Sequence, residues 1–345
     1  MVASQKEDVE RIVLGLGIKP QKEETLQVDM SKKRVIILSG PTGCGKSALA
    51  MQLAQMIGGE IVSADSMQVY QGMDIGTAKP TKADRLLVPH HLIDVLPVSD
   101  SFNVVDFFYY ARQACQVIHS RDNIPIVVGG AGFYIHSLMF GPPSGPPSIP
   151  EVRKALEEEM QQKGSEELYA RLKHLDPEYA GTITIHDKQK IVRALEIITL
   201  MGQKVSKLAW KSRKKSQNYD FRCWFLHRPK ESLYHRIEKR CDHMLLEGLL
   251  DEVVALDQQG LSSNSSASQA IGYRQCLEFL QSTQSMDEYR KMVQSFKRAS
   301  RHYAKRQYTW FRQEPTFRWL DLDLHDPETV ADIITRDYES WRWER

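Results

Sequence analysis

The chain has 345 residues, enough for about two domains and a sizeable core. Apolar residues make up 41% and charged residues 26%, which excludes a mainly disordered or fibrous chain. The 46 Lys and Arg against 44 Asp and Glu leave a formal +2, so only the local distribution of charge can speak about partners.

Residues 1–30 are polar and irregular apart from an amphipathic stretch around Val9–Leu16, and read as a mobile extension or a small helix, with Met30 a candidate start. They carry acids and lack an apolar h-region, which argues against a secretory signal or transit peptide. No apolar run nears the ~20 residues of a membrane span. The five cysteines, at 44, 115, 223, 241 and 276, form no CxxC and suit a reducing compartment better than a disulfide scaffold or zinc site. A soluble, cytoplasmic protein is expected. No oligomerisation face is evident, so a monomer is expected too.

Regular structure is expected to start with a strand over Arg34–Leu38 and a helix over Lys46–Ile57. A strand over Glu60–Ala64, a helix over Val104–His119 and a strand over Ile124–Val128 follow. This alternation predicts a parallel sheet with helices on both faces. The proline-rich Gly141–Pro150 reads as a linker. Beyond it, Glu151–Lys163, Ser165–His174 and Asp187–Met201 look helical, with no strand between them. A basic stretch, Lys204–Lys215, precedes one more strand candidate, Cys223–His227; the remainder reads as helix over Leu233–Leu256 and Met286–Arg312, around a Ser-rich loop at 262–268. The expected organisation is an α/β core, 31–140 and 216–345, carrying a helical insertion at 141–215.

The run Gly40, Pro41, Thr42, Gly43, Cys44, Gly45, Lys46, Ser47 matches GxxxxGK[ST] between a predicted strand and a predicted helix, the setting a phosphate-binding loop requires. Its glycines let backbone N–H groups turn onto phosphate oxygens, the helix N-terminus adds partial positive charge, and Lys46 adds a full one. Ser47 offers a hydroxyl to Mg²⁺. The fold class is therefore α/β, a P-loop NTPase-like parallel sheet flanked by helices, with an all-helical insertion domain. The loop does not say which phosphate it holds: ATP is the default, and any diphosphate fits.

Asp65 follows the second strand at the carboxyl end of the sheet, where α/β enzymes place ligands. It can hold Mg²⁺, act as a general base, or simply cap a turn. Gly72–Pro80 has the composition of a substrate-covering loop or an ordinary surface loop, and Gly129–Gly132 ends the third strand without the usual acid. His90 and His91 are adjacent in an extended segment and point to opposite faces, which argues against a two-His metal site. Between Arg290 and Gln313 stand eight Lys or Arg and no acid; Lys297, Arg301 and Lys305 share a helix face, with Tyr303, Tyr308, Trp310 and Phe311 interleaved. Such local asymmetry is either a polyanion footprint, with aromatics for unpaired bases, or a solvated face over core aromatics. Three readings remain open at this point: a P-loop small-molecule or nucleotide kinase, an RNA-modifying transferase whose loop holds a diphosphate, and a non-enzymatic NTP switch. The basic stripes favour the second.

Several strings resemble the tRNA dimethylallyltransferase (IPP transferase) family over about residues 33–320. They are Gly40–Ser47, Ser63–Tyr70, Gly72–Pro80, Pro89–Asp94, Arg193–Glu196, Gly272–Gln275 and Lys305–Trp310. The resemblance implies Mg²⁺-assisted transfer of a dimethylallyl group from dimethylallyl diphosphate to N6 of adenine 37, beside the anticodon of tRNAs that read codons starting with U. It implies catalytic roles for Asp65, Thr42 and Arg240, and a diphosphate grip by Gly40–Ser47. It also implies contacts with the tRNA anticodon stem-loop from Asp65, Ser66, Met67, Gln68, Ala131 and Arg153. Further contacts are implied from Gln189, Lys190, Ile191, Val192 and Arg193; from Gln269, Ala270, Ile271, Gly272, Tyr273 and Arg274; and from Lys305, Arg306, Gln307, Tyr308, Thr309, Trp310, Phe311 and Arg312. Ala131 stands where relatives usually carry Thr, and His186-Asp187-Lys188 replaces a more usual Asn-Asp-Pro. The absence of a zinc-finger pattern favours the short bacterial type.

Overall fold

The computed structural model describes residues 32–208 and 218–343; the expectations for residues 1–30 and for most of the Lys204–Lys215 stretch lie outside the described residues. Six strands form one parallel sheet: β1 (Lys33–Ser39), β2 (Gly59–Ser63), β3 (His90–His91), β4 (Ile124–Gly129), β5 (Tyr219–His227) and β6 (Phe317–Asp321). Their order is β3-β2-β4-β1-β5-β6. β1 lies in the middle, and its Val35, Ile36, Ile37 and Leu38 are fully buried, as a strand covered on both faces requires.

Two helices match the expected spans residue for residue: α1 (Lys46–Ile57) and, after the short α2 (Lys82–Leu87), α3 (Val104–His119). Asn103 and Asp106 close a capping box at the start of α3, each side chain accepting from the other's backbone N–H. α4 (Gly132–Phe140) runs straight on from the Gly129–Gly132 turn, where no helix was expected. After the linker come α5 (Pro150–Leu175), bent at Gly164 (φ 85°), the short α6 (Pro177–Ala180) and α7 (Lys188–Met201). These three helices enclose a second apolar cluster around Leu168, Leu172, Ile191 and Leu195.

The C-terminal part differs from the expected all-helical run in two places. Leu233–Leu256 is two helices, α8 (Lys230–Leu246) and α9 (Leu249–Asp257), because Gly248 takes φ 97° and ends the first. Past α10 (Tyr273–Leu280) and α11 (Met286–Phe311), the chain adds the edge strand β6 before α12 (Pro327–Trp343). β6 is held laterally by β5 and on its face by aromatics: the Phe225 ring lies 4.2 Å from Trp319 and 4.9 Å from Phe311. Among the described residues, no helix is long and apolar enough to cross a membrane.

His90 and His91 do face different partners. His90 Nδ1 lies 2.7 Å from the Val88 carbonyl, while His91 Nε2 lies 2.7 Å from Glu60 Oε2. Glu60 is buried in β2, where Asn123 also donates to it (2.9 Å) and Arg121 lies 3.4 Å away. Burial pushes the Glu60 carboxyl up, but the hydrogen bonds from Asn123 and His91 outweigh it and hold the group below its ordinary value. A depressed carboxylate stabilises the fold above its unfolded value and stops doing so as pH falls through its folded one. Glu60→Ala is therefore expected to cost about 3 kcal/mol near pH 7. In denaturant titrations the gap from the wild type should narrow steadily below the ordinary Glu range.

Candidate functional site

The carboxyl ends of β1, β2 and β4 deliver three turns to one edge of the sheet: Gly40–Gly45, the Asp65 turn and Gly129–Ala131. Gly45, at φ 108°, precedes α1 and contributes no side-chain cap, so the first N–H groups of the helix are left for an anion. Lys46 Nζ folds back onto the Pro41 carbonyl at 2.8 Å. The loop is clasped from outside. Gln307 Oε1 accepts from Thr42 N (2.9 Å) while its Nε2 donates to Gly130 O (3.1 Å). Arg228 Nε donates to Cys44 O (2.9 Å) and Arg236 Nε to Gly43 O (3.0 Å). Gly130 has to be glycine for this clasp, since a Cβ there would lie 1.9 Å from Gln307 Nε2.

A pocket of about 370 Å³ opens over the loop. Gly43, Gly45, Ser47 and Ala48 line it together with four cations, Lys46, Arg236, Lys239 and Arg240, and among the described residues no acid lines it. Burial lowers the pKa of Lys46, with Cys44 opposing and Arg240 adding to the fall; burial likewise lowers that of Arg240, against the pull of Asp65. Two desolvated cations this close make a site that an anion stabilises. Arg236, Lys239 and Arg240 stand at i, i+3 and i+4 on α8. That helical spacing alone marks a shared cationic face, although the family resemblance singles out only Arg240.

Arg240 also lines a second pocket of about 260 Å³, and its Nη1 donates to Thr42 Oγ1 at 3.1 Å. Met67, Ile237, Met244, Ile271 and Phe296 give this pocket an apolar wall; Asp65, Ser66, Thr77, Gln269, Tyr303 and Arg306 give it a polar one. Asp65 does sit in a turn, where its Oδ1 accepts from Met67 N at 2.8 Å, and that bond fixes the carboxylate while leaving Oδ2 for another partner. Burial and the nearby Asp65 charge together raise the pKa of Tyr303, which keeps its hydroxyl protonated beside the acid.

The structure divides the remaining residues implied by the resemblance. Asp65, Ser66, Met67, Gln269, Ala270, Ile271, Tyr273 and Arg306 meet at the second pocket. Ser66–Gln68 are half-buried, Ala131 caps α4, and Gln189, Lys190, Arg274 and Thr309 lie at or near the surface. Five of these residues have buried side chains with internal contacts, Tyr273 at the second pocket among them. Ile191 and Val192 fill the second apolar cluster, Phe311 the main core, Gln307 clasps the loop, and Tyr273 donates its hydroxyl to Glu252 at 2.6 Å. Arg193 is committed to Glu196 (2.7 Å) and the Pro146 carbonyl (2.5 Å), tying the linker to α7. Arg153 pairs with Glu157 one turn on, at 2.9 Å. In the basic stripe, Lys297 and Arg301 form ion pairs with Asp242 and Glu238 of α8, so two of the three aligned cations join helices; Lys305 and Arg306 are exposed and have no ion pair among the described residues. Tyr308 donates to the Arg228 carbonyl at 2.7 Å, with the exposed Arg312 over its ring, while Trp310 is partly exposed beside Phe133.

A P-loop α/β protein whose cationic pocket shares an arginine with an apolar, carboxylate-bearing one is built to hold a phosphorylated compound against a second reactant. Comparison with known proteins supplies the family. The IPP transferase model matches residues 68–314 and the isopentenyl transferase model residues 33–89. The tRNA dimethylallyltransferase of Protochlamydia amoebophila is 63% identical over 335 residues, covering 97% of each chain. The tRNA Δ2-isopentenylpyrophosphate transferase of Staphylococcus epidermidis superposes with a TM-score of 0.65 at 34% identity, over 90% of this chain and all of the other. A eukaryotic dimethylallyltransferase acting on tRNA superposes with a TM-score of 0.73 at 28% identity, over 89% of this chain and 80% of that one. The chain belongs to the IPP transferase family and is an enzyme of it.

Inorganic diphosphate is expected to bind the cationic pocket, and Arg240→Ala to weaken that binding about tenfold or more, the cost of one charge-assisted hydrogen bond. Arg236→Ala, whose side chain is exposed, should cost less. Isothermal titration of the two variants against the wild type measures both.

Proposed function

We propose that the enzyme transfers a dimethylallyl group from dimethylallyl diphosphate to N6 of adenine 37 in tRNAs that read codons starting with U, releasing diphosphate. The observation that carries the reading is Arg240, which, alone among the described residues, lines both the cationic pocket and the pocket holding Asp65. The diphosphate lies over the loop, and the allyl group reaches past Thr42 and Arg240 toward the apolar wall. As the C1–O bond lengthens, charge accumulates on the diphosphate, and the loop N–H groups with Lys46, Arg236, Lys239 and Arg240, which line the pocket, stabilise it. The N6 lone pair forms the new bond to C1, and Asp65 Oδ2 takes the proton that N6 gives up. An adenine can enter only after leaving the anticodon stack, and Tyr303 and Arg306 offer a ring and a cation at that entrance.

Ser47, which lines the cationic pocket, would offer its hydroxyl to Mg²⁺. When bound, Mg²⁺ neutralises diphosphate charge and makes it a better leaving group. Lys305, Arg306 and Arg312 contribute the phosphate contacts of a tRNA surface. The proposed form of the enzyme is a cytoplasmic monomer.

Incubation with dimethylallyl diphosphate, Mg²⁺ and unmodified tRNA, followed by nucleoside mass analysis, should yield N6-(dimethylallyl)adenosine; phosphoryl transfer from ATP to a small acceptor without prenylated tRNA would replace this reading with a kinase. Asp65→Ala is expected to lower turnover by about 10²–10⁴ with tRNA affinity within a few-fold. Unchanged turnover removes Asp65 as the base. Charge reversal at Lys305 and Arg306 should weaken tRNA binding and flatten the dependence of log K on log salt by about 0.7–0.9 for each phosphate no longer neutralised. A slope equal to the wild type's makes that face plain solvated surface.

A further inference from the structure

The Gly72–Pro80 segment is built more firmly than a surface loop. Three successive backbone N–H groups converge on one carboxylate: those of Asp74 (3.2 Å) and Ile75 (2.7 Å) on Glu252 Oε2, and that of Gly76 (3.3 Å) on Oε1. Oε1 also accepts from the Tyr273 hydroxyl at 2.6 Å. The Tyr273 ring lies so close under the loop that a Cβ on Gly76 would stand 2.4 Å from it, and a Cβ on Gly72 would meet Leu256 of α9 at 3.0 Å. From this anchor the hydrogen bonds continue into the site. Gly76 and Thr77 line the second pocket, Thr77 O accepts from Gln68 Nε2 (3.3 Å), and Gln68 Oε1 accepts from Ser63 Oγ (2.8 Å) at the end of β2, two residues before Asp65.

We infer that Glu252, with Tyr273, is a positioning residue that holds the 74–77 wall and, through Gln68, the Asp65 turn in the shape the incoming adenine meets. This rests on the prenyl transfer proposed above and adds a specificity element to its acceptor side. Glu252 touches neither pocket's occupant: it is absent from the lining of both, and its carboxylate is consumed by the loop. The Gln side chain of Glu252→Gln keeps the volume but presents an amide –NH₂ in place of one accepting oxygen, so at least one loop N–H is left without its acceptor. The cationic pocket, more remote along this network, should be unaffected.

The test is steady-state kinetics of wild type, Glu252→Gln, Glu252→Asp and Tyr273→Phe, with tRNA and dimethylallyl diphosphate varied separately. It is read alongside melting temperature and hydrogen exchange of amides 72–80. Prenyl transfer by the wild type is the control: its failure overturns the proposed function before the variants are read. With the control satisfied, Glu252→Gln should raise KM for tRNA about tenfold, or lower kcat about tenfold through the displaced Asp65, with KM for dimethylallyl diphosphate within twofold. Exchange should quicken at 74–76 and not in the sheet. Tyr273→Phe should move the same parameters less, and its effect should largely vanish in the Glu252→Gln background. Wild-type kinetics in Glu252→Gln overturn the inference, whether or not the loop exchanges faster. So does a parallel loss on both substrates together with a fall in melting temperature, which marks Glu252 as a purely structural residue.

Discussion

Desolvated positive charge at the carboxyl edge of the sheet is the constraint around which the site is arranged. Lys46 and Arg240 are half-buried where they line the cationic pocket, and burial lowers the pKa of each, against Cys44 and then Asp65 for Lys46 and against Asp65 for Arg240. Isolated cations in a low-dielectric environment are costly, and a protein retains them when a ligand completes the set. The same charges set the polarity of the proposed reaction. They are matched to an anion that gains charge while the bond to its organic part breaks, so their stabilisation grows toward the transition state.

Holding such a loop open and ready requires support, and the support comes from elements far away in the chain. Gln307 reaches Thr42 across 265 residues, and Arg236 and Arg228 fasten Gly43 and Cys44 from the segment after β5. α8 and α11 are in turn joined by the Lys297–Asp242 and Arg301–Glu238 ion pairs. One helix pair thus carries the cations of the first pocket on α8, the aromatic mouth of the second on α11, and the clasp that couples both to the sheet. In the proposed reaction, a base approaching Arg306 and a diphosphate lying on Arg240 would both be positioned against this helix pair.

What could be read from the sequence follows from the range of the interactions involved. The phosphate loop, its flanking strand and helix, and the Asp65 turn are local: glycine spacing, an apolar run and a single acid at a strand end are visible within a dozen residues. α1 and α3 are legible for the same reason, through periodicity. β6 escapes a sequence reading because five residues of an edge strand, four of them polar or aromatic, carry no alternation to separate them from the end of α11; it is stabilised by Phe225 and Trp319 meeting side by side on β5 and β6. The α8–α9 break depends on one glycine inside a strongly helical run. Gln307 and Tyr273 fall on the expected RNA surface because a matching motif says that a segment matters and not which way each side chain points. Their hydrogen bonds go to the loop clasp and to Glu252, and Glu252 itself carries no local signal.

A phosphate-binding loop by itself is compatible with nucleotide chemistry, and the choice between the two depends on what surrounds it. A kinase site must bring a second polar reactant up to a terminal phosphoryl group and hold metal against it with acids. Here the cationic pocket has no acid among its lining residues, and the carboxylate next to it, Asp65, looks into a space whose other wall is Met67, Ile237, Met244, Ile271 and Phe296. Such a wall has nothing to offer a phosphoryl group in flight, but it excludes water from a carbon centre that is becoming cationic. A prenyl cation exposed to solvent is lost to hydrolysis. In the proposed reaction, an apolar wall on one side and an amine delivered beside Asp65 on the other would direct it to nitrogen, which is why the apolar half of the pocket weighs as heavily in the reading as the loop itself.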